Sequence, residues 1–302
     1  MRALVISGGG SKGAYAGGLA EYLIRERKRN YDIFIGSSTG SLLVPLLSIG
    51  EIDKLKEIFT SVTESDIFNS SPFIISEKNG DPIAKINHFG ILKMFLKGKK
   101  TFGESENLRK IIKKVITEDD YKAIQRSGRE VIVTVSNLTN TTIEYKSVKD
   151  FGYEDYCDWI WASTSLVPFM SLVNKNGFDY ADGGMGDFVP IYQAIQKGAT
   201  EIDVILLKTD RNITNSPSIH NAFDLILRIF NFMLTEIGDG NLIIGQLEGL
   251  NKKVKLNIYR PLNDLTANSL IFIPEQMKRW WQLGYHNGVK HAPDCTNIEV
   301  AP

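Results

Sequence analysis

The sequence predicts an α/β protein, with helices on both faces of a mainly parallel sheet (a three-layer α/β/α arrangement) and a mostly helical C-terminal portion. Two observations favour this fold class. Short apolar segments alternate with helical patterns as far as residue 210, which implies right-handed crossovers between parallel strands. Beyond that point the pattern is mostly helical. We therefore divide the chain into a core of residues 1–210 and an extension of residues 211–302 that packs on it.

The composition excludes several classes of protein. The chain of 302 residues has 43% hydrophobic and 23% charged side chains, as a globular protein with a sizeable core does. Its 35 basic residues balance 35 acidic residues, which gives no support for binding nucleic acid. Cys157 and Cys295 are too few for a zinc site on their own and are interpreted as free thiols. The first strand begins at Arg2 and no apolar run approaches the length of a membrane span, so we expect a cytoplasmic protein.

The individual elements are predicted from their local patterns. Short apolar runs bounded by turn residues indicate strands, whereas apolar residues three or four apart indicate helices, two of which have Ser105 and Thr117 as N-caps. Residues 63–100 predict turns and loops around one short helix, ILKMFL. In the extension, long helical segments flank one strand, VKLNIYRP. The strands of the core are RALVIS, YDIFIGSS, EVIVTVSNLT, TTIEYKSV, GFDYADGG and EIDVILLK.

A glycine-rich turn, GGGSKG, follows the first strand. Such a turn can hold a phosphate at a helix N-terminus, or it can direct backbone N–H groups at a developing oxyanion. The spacing of Gly8, Gly10 and Gly13 matches the dinucleotide-binding pattern. That pattern requires a carboxylate at the end of the second strand, where this chain has FIGSSTG instead. Nucleotide binding is therefore the weaker interpretation.

The second strand ends in a G-x-S-x-G sequence formed by Gly36, Ser38 and Gly40. An apolar strand before it and an apolar helix after it are the context of a nucleophile elbow, which exposes its serine at a sharp turn. In a parallel sheet this turn lies beside the glycine-rich turn, at the edge where such folds bind ligands. The first turn can then supply oxyanion donors for a nucleophile on the second.

A serine nucleophile needs a group that accepts its proton. In an α/β-hydrolase the histidine comes last in the chain, which makes His286 or His291 a candidate. A second candidate is Asp182, which ends a strand and precedes Gly183 and Gly184. Asp-Gly is also a common turn dipeptide, so these three residues could equally form an ordinary turn with no catalytic role.

Taken together, these motifs resemble those of the patatin-like phospholipases. GGGSKG is similar to the family's glycine-rich oxyanion loop, with Lys12 in its basic position, and GSSTG and DGG are similar to its elbow and its D-G-[AG] motif. Within WASTSLVPFM, the stretch from Ala162 through Pro168 resembles the segment that precedes the family's aspartate. The chain departs from the pattern at Ser7, where the family often has an acidic residue. The matching motifs cover about the first two-thirds of the chain.

The resemblance implies a lipid acyl hydrolase of the phospholipase A or lysophospholipase type with a Ser–Asp dyad. Ser38 would attack the ester carbonyl and Asp182 would accept its proton. The N–H groups of Gly9 and Gly10, with that of Thr39 as a third donor, would hold the oxyanion. No metal or cofactor is needed.

Two other activities stay open from the sequence. The same acyl-serine could be passed to another acceptor by an acyltransferase, although related transferases have histidine where this chain has Ser37. A non-enzymatic nucleotide-binding module is the third reading. The lipid substrate itself is implied by the family rather than by particular residues.

Membrane contact also has two interpretations. Trp280 and Trp281 lie beside Lys278 and Arg279, a combination that suits a bilayer surface. Packing between helices explains the same tryptophans equally well. The segment FDLILRIFNFML, apolar nearly all round, predicts a buried helix or a lid over an acyl pocket.

Overall fold

A computed structural model describes residues 1–78, 81–209, 218–219, 221–266, 268–290 and 294–295. The strands in these residues are β1 (Arg2–Ile6), β2 (Ile33–Ser37), β3 (Phe73–Lys78), β4 (Asp81–Ile86), β5 (Glu130–Asn137), β6 (Thr142–Ser147), β7 (Val173–Lys175), β8 (Phe178–Asp182), β9 (Glu201–Ile205), β10 (Lys255–Tyr259) and β11 (Asp294–Cys295). The helices are α1 (Gly13–Arg25), α2 (Thr39–Ser48), α3 (Ile52–Phe59), α4 (Glu64–Ile67), α5 (His88–Leu96), α6 (Glu106–Val115), α7 (Glu118–Arg126), α8 (Tyr153–Ser163), α9 (Ile191–Gln196), α10 (Ala222–Asn251) and α11 (Pro274–Lys290).

Nine of the strands form one sheet, in the order β11-β10-β9-β1-β2-β5-β8-β7, with β6 also paired to β5. The five strands β10, β9, β1, β2 and β5 run parallel, as the alternating pattern predicts. The remaining strands of this sheet pair in the antiparallel direction. The mainly parallel α/β fold is therefore confirmed.

The two faces of the sheet pack against different layers of helices. In β1 the side chains alternate: Leu4 and Ile6 belong to the apolar core beneath α1, α2 and α8, whereas Ala3 and Val5 belong to the core beneath α9. This alternation follows from the two-residue repeat of a strand. Because both faces are covered, β1 is apolar from Ala3 to Ile6, which explains why these residues show no polar alternation.

The C-terminal portion contributes to the same sheet. β10 adds in parallel beside β9, and α11 packs closely against α1. A methyl group added to Gly18 would lie 1.9 Å from the carbonyl oxygen of Trp281, so the two helix backbones are nearly in contact there.

The division of the chain at residue 210 stays a prediction, because residues 210–217 lie outside the described residues.

The burial of Trp281 decides between the two interpretations of the tryptophan pair. Its side chain is 1% exposed, and its Nε1 donates a hydrogen bond to Glu21 Oε2 at 2.6 Å. Trp281 therefore packs between helices α1 and α11 and is not available for insertion into a bilayer.

Two local expectations were wrong. Residues 73–86 form a hairpin of β3 and β4, in which Phe73 pairs with Ile86, instead of the expected loop. The segment FDLILRIFNFML is helical as expected, within α10, but its interpretation as a buried helix is wrong, because Leu225, Ile229, Phe232 and Met233 are 45–64% exposed.

Candidate active site

Ser38 lies at the sharp turn between β2 and α2. Its backbone has φ 51° and ψ −123°, a conformation that is strained for a residue with a side chain and that surrounding structure must enforce. The flanking glycines permit the turn. A methyl group on Gly36 would lie 2.3 Å from the carbonyl carbon of Gly40, and one on Gly40 would lie 2.2 Å from the carbonyl oxygen of Ile6. Only glycine fits at either position, and the geometry is that of a nucleophile elbow.

The sheet register places Asp182 opposite this elbow. Strands β2 and β8 share one edge of β5, because β6 occupies the other edge. Ser37 at the end of β2 pairs with Thr134, and Asp182 at the end of β8 pairs with the next residue, Val135. Since β2 is parallel and β8 antiparallel to β5, their carboxyl ends meet head to head. Residues 144 positions apart in the sequence thereby become neighbours.

The two side chains form a direct hydrogen bond. The Ser38 hydroxyl Oγ donates to Asp182 Oδ2 at 2.6 Å. The other carboxylate oxygen, Oδ1, accepts the backbone N–H of Gly184 at 2.7 Å, which fixes the orientation of the carboxylate. The Asp182 backbone N–H in turn donates to the carbonyl of Ser165, within the segment that the sequence analysis singled out before the aspartate.

Burial makes Asp182 a stronger base than an ordinary carboxylate. Its side chain is 3% exposed, and this desolvation raises its pKa to about 7, although the hydrogen bonds from Ser38 and Gly184 act in the opposite direction. A base whose pKa lies near neutral pH combines ionisation at pH 7 with appreciable affinity for a proton. The arrangement therefore suits the transfer of a proton from Ser38.

The glycine-rich loop lies against the elbow. A methyl group on Gly8 would lie 3.3 Å from Ser38 Cβ, and one on Gly13 would lie 2.3 Å from Thr39 Oγ1. Gly10 has φ +54°, a left-handed conformation that glycine adopts without strain. The predicted oxyanion loop is thus adjacent to the predicted nucleophile.

Most backbone N–H groups of this loop already have acceptors. Gly8 donates to the carbonyl of Phe188, Ser11 to that of Ser269 and Lys12 to that of Gly9. Among the described residues, no acceptor is found for the N–H groups of Gly9 and Gly10. The N–H of Thr39 is in the first turn of α2, where amides have no partner within the helix. These three are the groups expected to hold an oxyanion.

Lys12 belongs to the glycine-rich loop and carries its positive charge. Burial lowers its pKa, and the nearby carboxylate of Asp264 counteracts the shift. Lys12 therefore lies between the glycine loop and the C-terminal portion, to which the neighbouring Ser11 N–H also donates a hydrogen bond at Ser269.

The described histidines do not approach the elbow. His286 Nδ1 interacts with the carbonyl of Gln282 one turn earlier in its own helix, at 2.7 Å, and the ring of His88 lies against Phe223. Neither is hydrogen-bonded to Ser38 or Asp182. His220 and His291 lie outside the described residues.

Phe188 is a site residue that the sequence analysis missed. Methyl groups on Gly8 and Gly184 would lie 2.8 and 3.2 Å from its ring, so the ring packs between the glycine loop and the aspartate turn. Its backbone N–H donates to Asn241 Oδ1 of α10 at 2.7 Å. A lone phenylalanine after DGGMGD carries no motif, and its role depends on contacts that are distant in sequence.

Asp187 is a second buried carboxylate near this turn. It accepts a hydrogen bond from the hydroxyl of Tyr145 at 2.7 Å, and burial raises its pKa to about 6. Because its partner is a neutral phenol, Asp187 anchors the aspartate turn to β6.

Neither a metal-binding cluster nor a membrane-spanning helix occurs in the described residues. They contain no cluster of three or more histidine, cysteine, aspartate or glutamate side chains that could hold a metal ion. No helix among them is both long and apolar enough to cross a membrane.

Comparisons with known proteins agree with the motifs and the fold. Residues 4–195 match the family model described as patatin-like phospholipase. The crystal structure of VipD from Legionella pneumophila is similar in fold, with a TM-score of 0.50 and 14% sequence identity over 96% of this chain. The alignment covers 66% of the VipD chain, so this protein corresponds to only part of that one. No curated protein sequence matches. The family match spans more than half of the chain and includes the glycine loop, the elbow and the aspartate turn, and the protein is therefore a member of the patatin-like phospholipase family.

Proposed function

We propose that the protein is a serine lipid acyl hydrolase that cleaves carboxylic ester bonds of the phospholipase A or lysophospholipase type. Family membership supports lipid acyl hydrolysis in general. The observation that carries the specific proposal is the 2.6 Å hydrogen bond from Ser38 Oγ to Asp182 Oδ2.

In the first half of the reaction, Ser38 Oγ attacks the ester carbonyl carbon while its proton passes to Asp182 Oδ2. The carbonyl oxygen becomes an oxyanion that accepts hydrogen bonds from the N–H groups of Gly9, Gly10 and Thr39. Each such donor is worth about 3 kcal/mol in the transition state. The intermediate collapses to an acyl-serine, and the departing alcohol takes the proton from Asp182.

In the second half, water replaces the alcohol. Asp182 accepts a proton from the attacking water, a second oxyanion forms at the same donors, and Ser38 regains its proton as the fatty acid leaves. A single carboxylate thus serves as base and acid in both halves, with no histidine between it and the serine.

Hydrolysis of a water-soluble short-chain ester tests this proposal. We expect Ser38→Ala and Asp182→Asn to lower kcat/KM by several orders of magnitude while the circular dichroism spectrum is unchanged. His286→Ala is the matched control and should retain full activity. Full activity in Asp182→Asn together with loss in His286→Ala would replace the dyad by a triad.

A further inference from the structure

Helix α5 exposes an apolar face. One side of this helix packs inward through Ile91 and Met94, which are 2% and 4% exposed. Its opposite side is apolar as well, although it faces solvent. The exposed members are Phe89 at 79%, Leu92 at 54%, Phe95 at 50% and Leu96 at 81%.

The first half of α10 continues this apolar area. Leu225, Ile229, Phe232 and Met233 are 45–64% exposed, and their spacing places them on one side of the helix. The two helices adjoin, because the ring of His88 in α5 lies 5.4 Å from the ring of Phe223 in α10. We give the name apolar docking surface to the four exposed apolar residues of α5 together with these four residues of α10.

Positive charge accompanies this surface. Residues 82–103 contain five lysines and no aspartate or glutamate. Lys99 forms an ion pair with Glu104. Lys85, Lys93, Lys97 and Lys100 are exposed, and the described residues supply no ion-pair partner for them. Exposed aromatic and aliphatic side chains beside exposed lysines are the composition of helices that lie in an anionic lipid interface.

The apolar docking surface is connected to the candidate active site through α10. A methyl group on Gly238 would lie 3.0 Å from the ring of Phe188, which itself packs against Gly8 of the glycine loop. Phe232 precedes Gly238 by six residues, or about 9 Å along the helix axis. A flat partner on this surface would therefore lie close to the elbow.

We propose that the apolar docking surface binds the surface of a lipid bilayer that carries anionic headgroups. This inference rests on the proposed function for its purpose, because docking there would bring membrane lipids to Ser38. The binding itself requires only the exposed apolar side chains and the lysines. It also assigns membrane contact to a region other than the tryptophan pair.

Co-sedimentation with vesicles tests the proposal in a Ser38→Ala background, which prevents lipid turnover. We expect binding to vesicles of phosphatidylcholine with phosphatidylserine, and much weaker binding to phosphatidylcholine alone. Phe89→Gln with Leu96→Gln should weaken binding at least about tenfold. Lys93→Gln with Lys97→Gln and Lys100→Gln should weaken it on the order of a hundredfold, since each lysine contributes about fivefold.

A matched control is available on α11, outside both helices of the apolar docking surface. Leu283 and Val289 of this helix are 42% and 57% exposed. Leu283→Gln with Val289→Gln should leave vesicle binding unchanged. Thermal unfolding verifies that each variant is folded.

Several results would overturn the proposal. The protein could bind neither kind of vesicle, or it could bind both kinds equally well. The control pair could also weaken vesicle binding as much as the substitutions in the apolar docking surface do. A dimer in analytical ultracentrifugation that Phe89→Gln with Leu96→Gln dissociates would show that a second copy covers this face instead. Failure of the proposed function is a separate result, because it would appear as absent hydrolysis of a water-soluble ester while vesicle binding persists.

Discussion

The raised pKa of Asp182 predicts the pH profile of the reaction. The base must be ionised to accept the Ser38 proton, and burial places its pKa at about 7 rather than near the ordinary value of about 3.9. Below pH 7, kcat/KM should therefore fall about tenfold per pH unit, to about 1% of its plateau at pH 5. An ordinary aspartate would still be about 90% ionised at pH 5, so activity would hardly change.

Initial rates on a neutral, water-soluble ester between pH 5 and 9 measure this profile, since the substrate itself does not titrate. Circular dichroism at each pH verifies that the fold is retained. A flat profile from pH 5 to 8 would refute the assignment of the buried carboxylate as the base. A profile that Asp182→Asn leaves unaltered would refute it equally.

Three further predictions concern stability. Asp182→Asn should stabilise the fold above pH 7 by up to about 4 kcal/mol, because a carboxyl whose pKa is raised in the native state destabilises that state as pH rises from about 4 to 7. Urea unfolding of the wild type and the variant at pH 4 and pH 8 measures this effect. The same difference in stability at the two pH values would contradict it. Gly40→Ala should lower the free energy of unfolding in urea by about 3 kcal/mol, because the added methyl group meets the Ile6 carbonyl. Gly240→Ala should raise it by about 0.5 kcal/mol, because Gly240 has open space around it and lies in a helix. Similar effects of the two substitutions would show that the elbow tolerates a side chain. Trp281→Ala should lower the free energy of unfolding by about 4 kcal/mol, and Trp280→Ala should lower it by about 1 kcal/mol, as measured by thermal unfolding. The reverse order would contradict the burial of Trp281.

The sequence was sufficient for those parts of the fold that depend on local pattern. The parallel strands of the core are continuous apolar runs, and the elbow is recognisable because glycine flanks Ser38 on both sides. Asp182 could be selected only with the help of the family resemblance, since Asp-Gly is also an ordinary turn. No local pattern shows that β8 enters the sheet antiparallel beside the end of β2.

Features that depend on distant contacts could not be predicted. Phe188 acquires its position from the glycine loop and α10, both far away in the sequence. The hairpin of β3 and β4 is not predictable from its sequence, because its short strands lack a polar alternation and the surrounding turn signals favour a loop. The tryptophan pair is ambiguous in the sequence because the same residues suit a bilayer and a helix interface. The burial of Trp281 against α1 in the structure decides between the two.

Reaction with a fluorophosphonate tests the central claim, that Asp182 activates Ser38, most directly. The reagent forms a stable phosphonyl-serine only where a serine is activated beside an oxyanion site. Mass spectrometry of the digested wild-type protein should locate the adduct on Ser38, and Asp182→Asn should slow its formation by orders of magnitude. An adduct on a different residue, or labelling of Ser38 at the same rate in Asp182→Asn, would contradict the account.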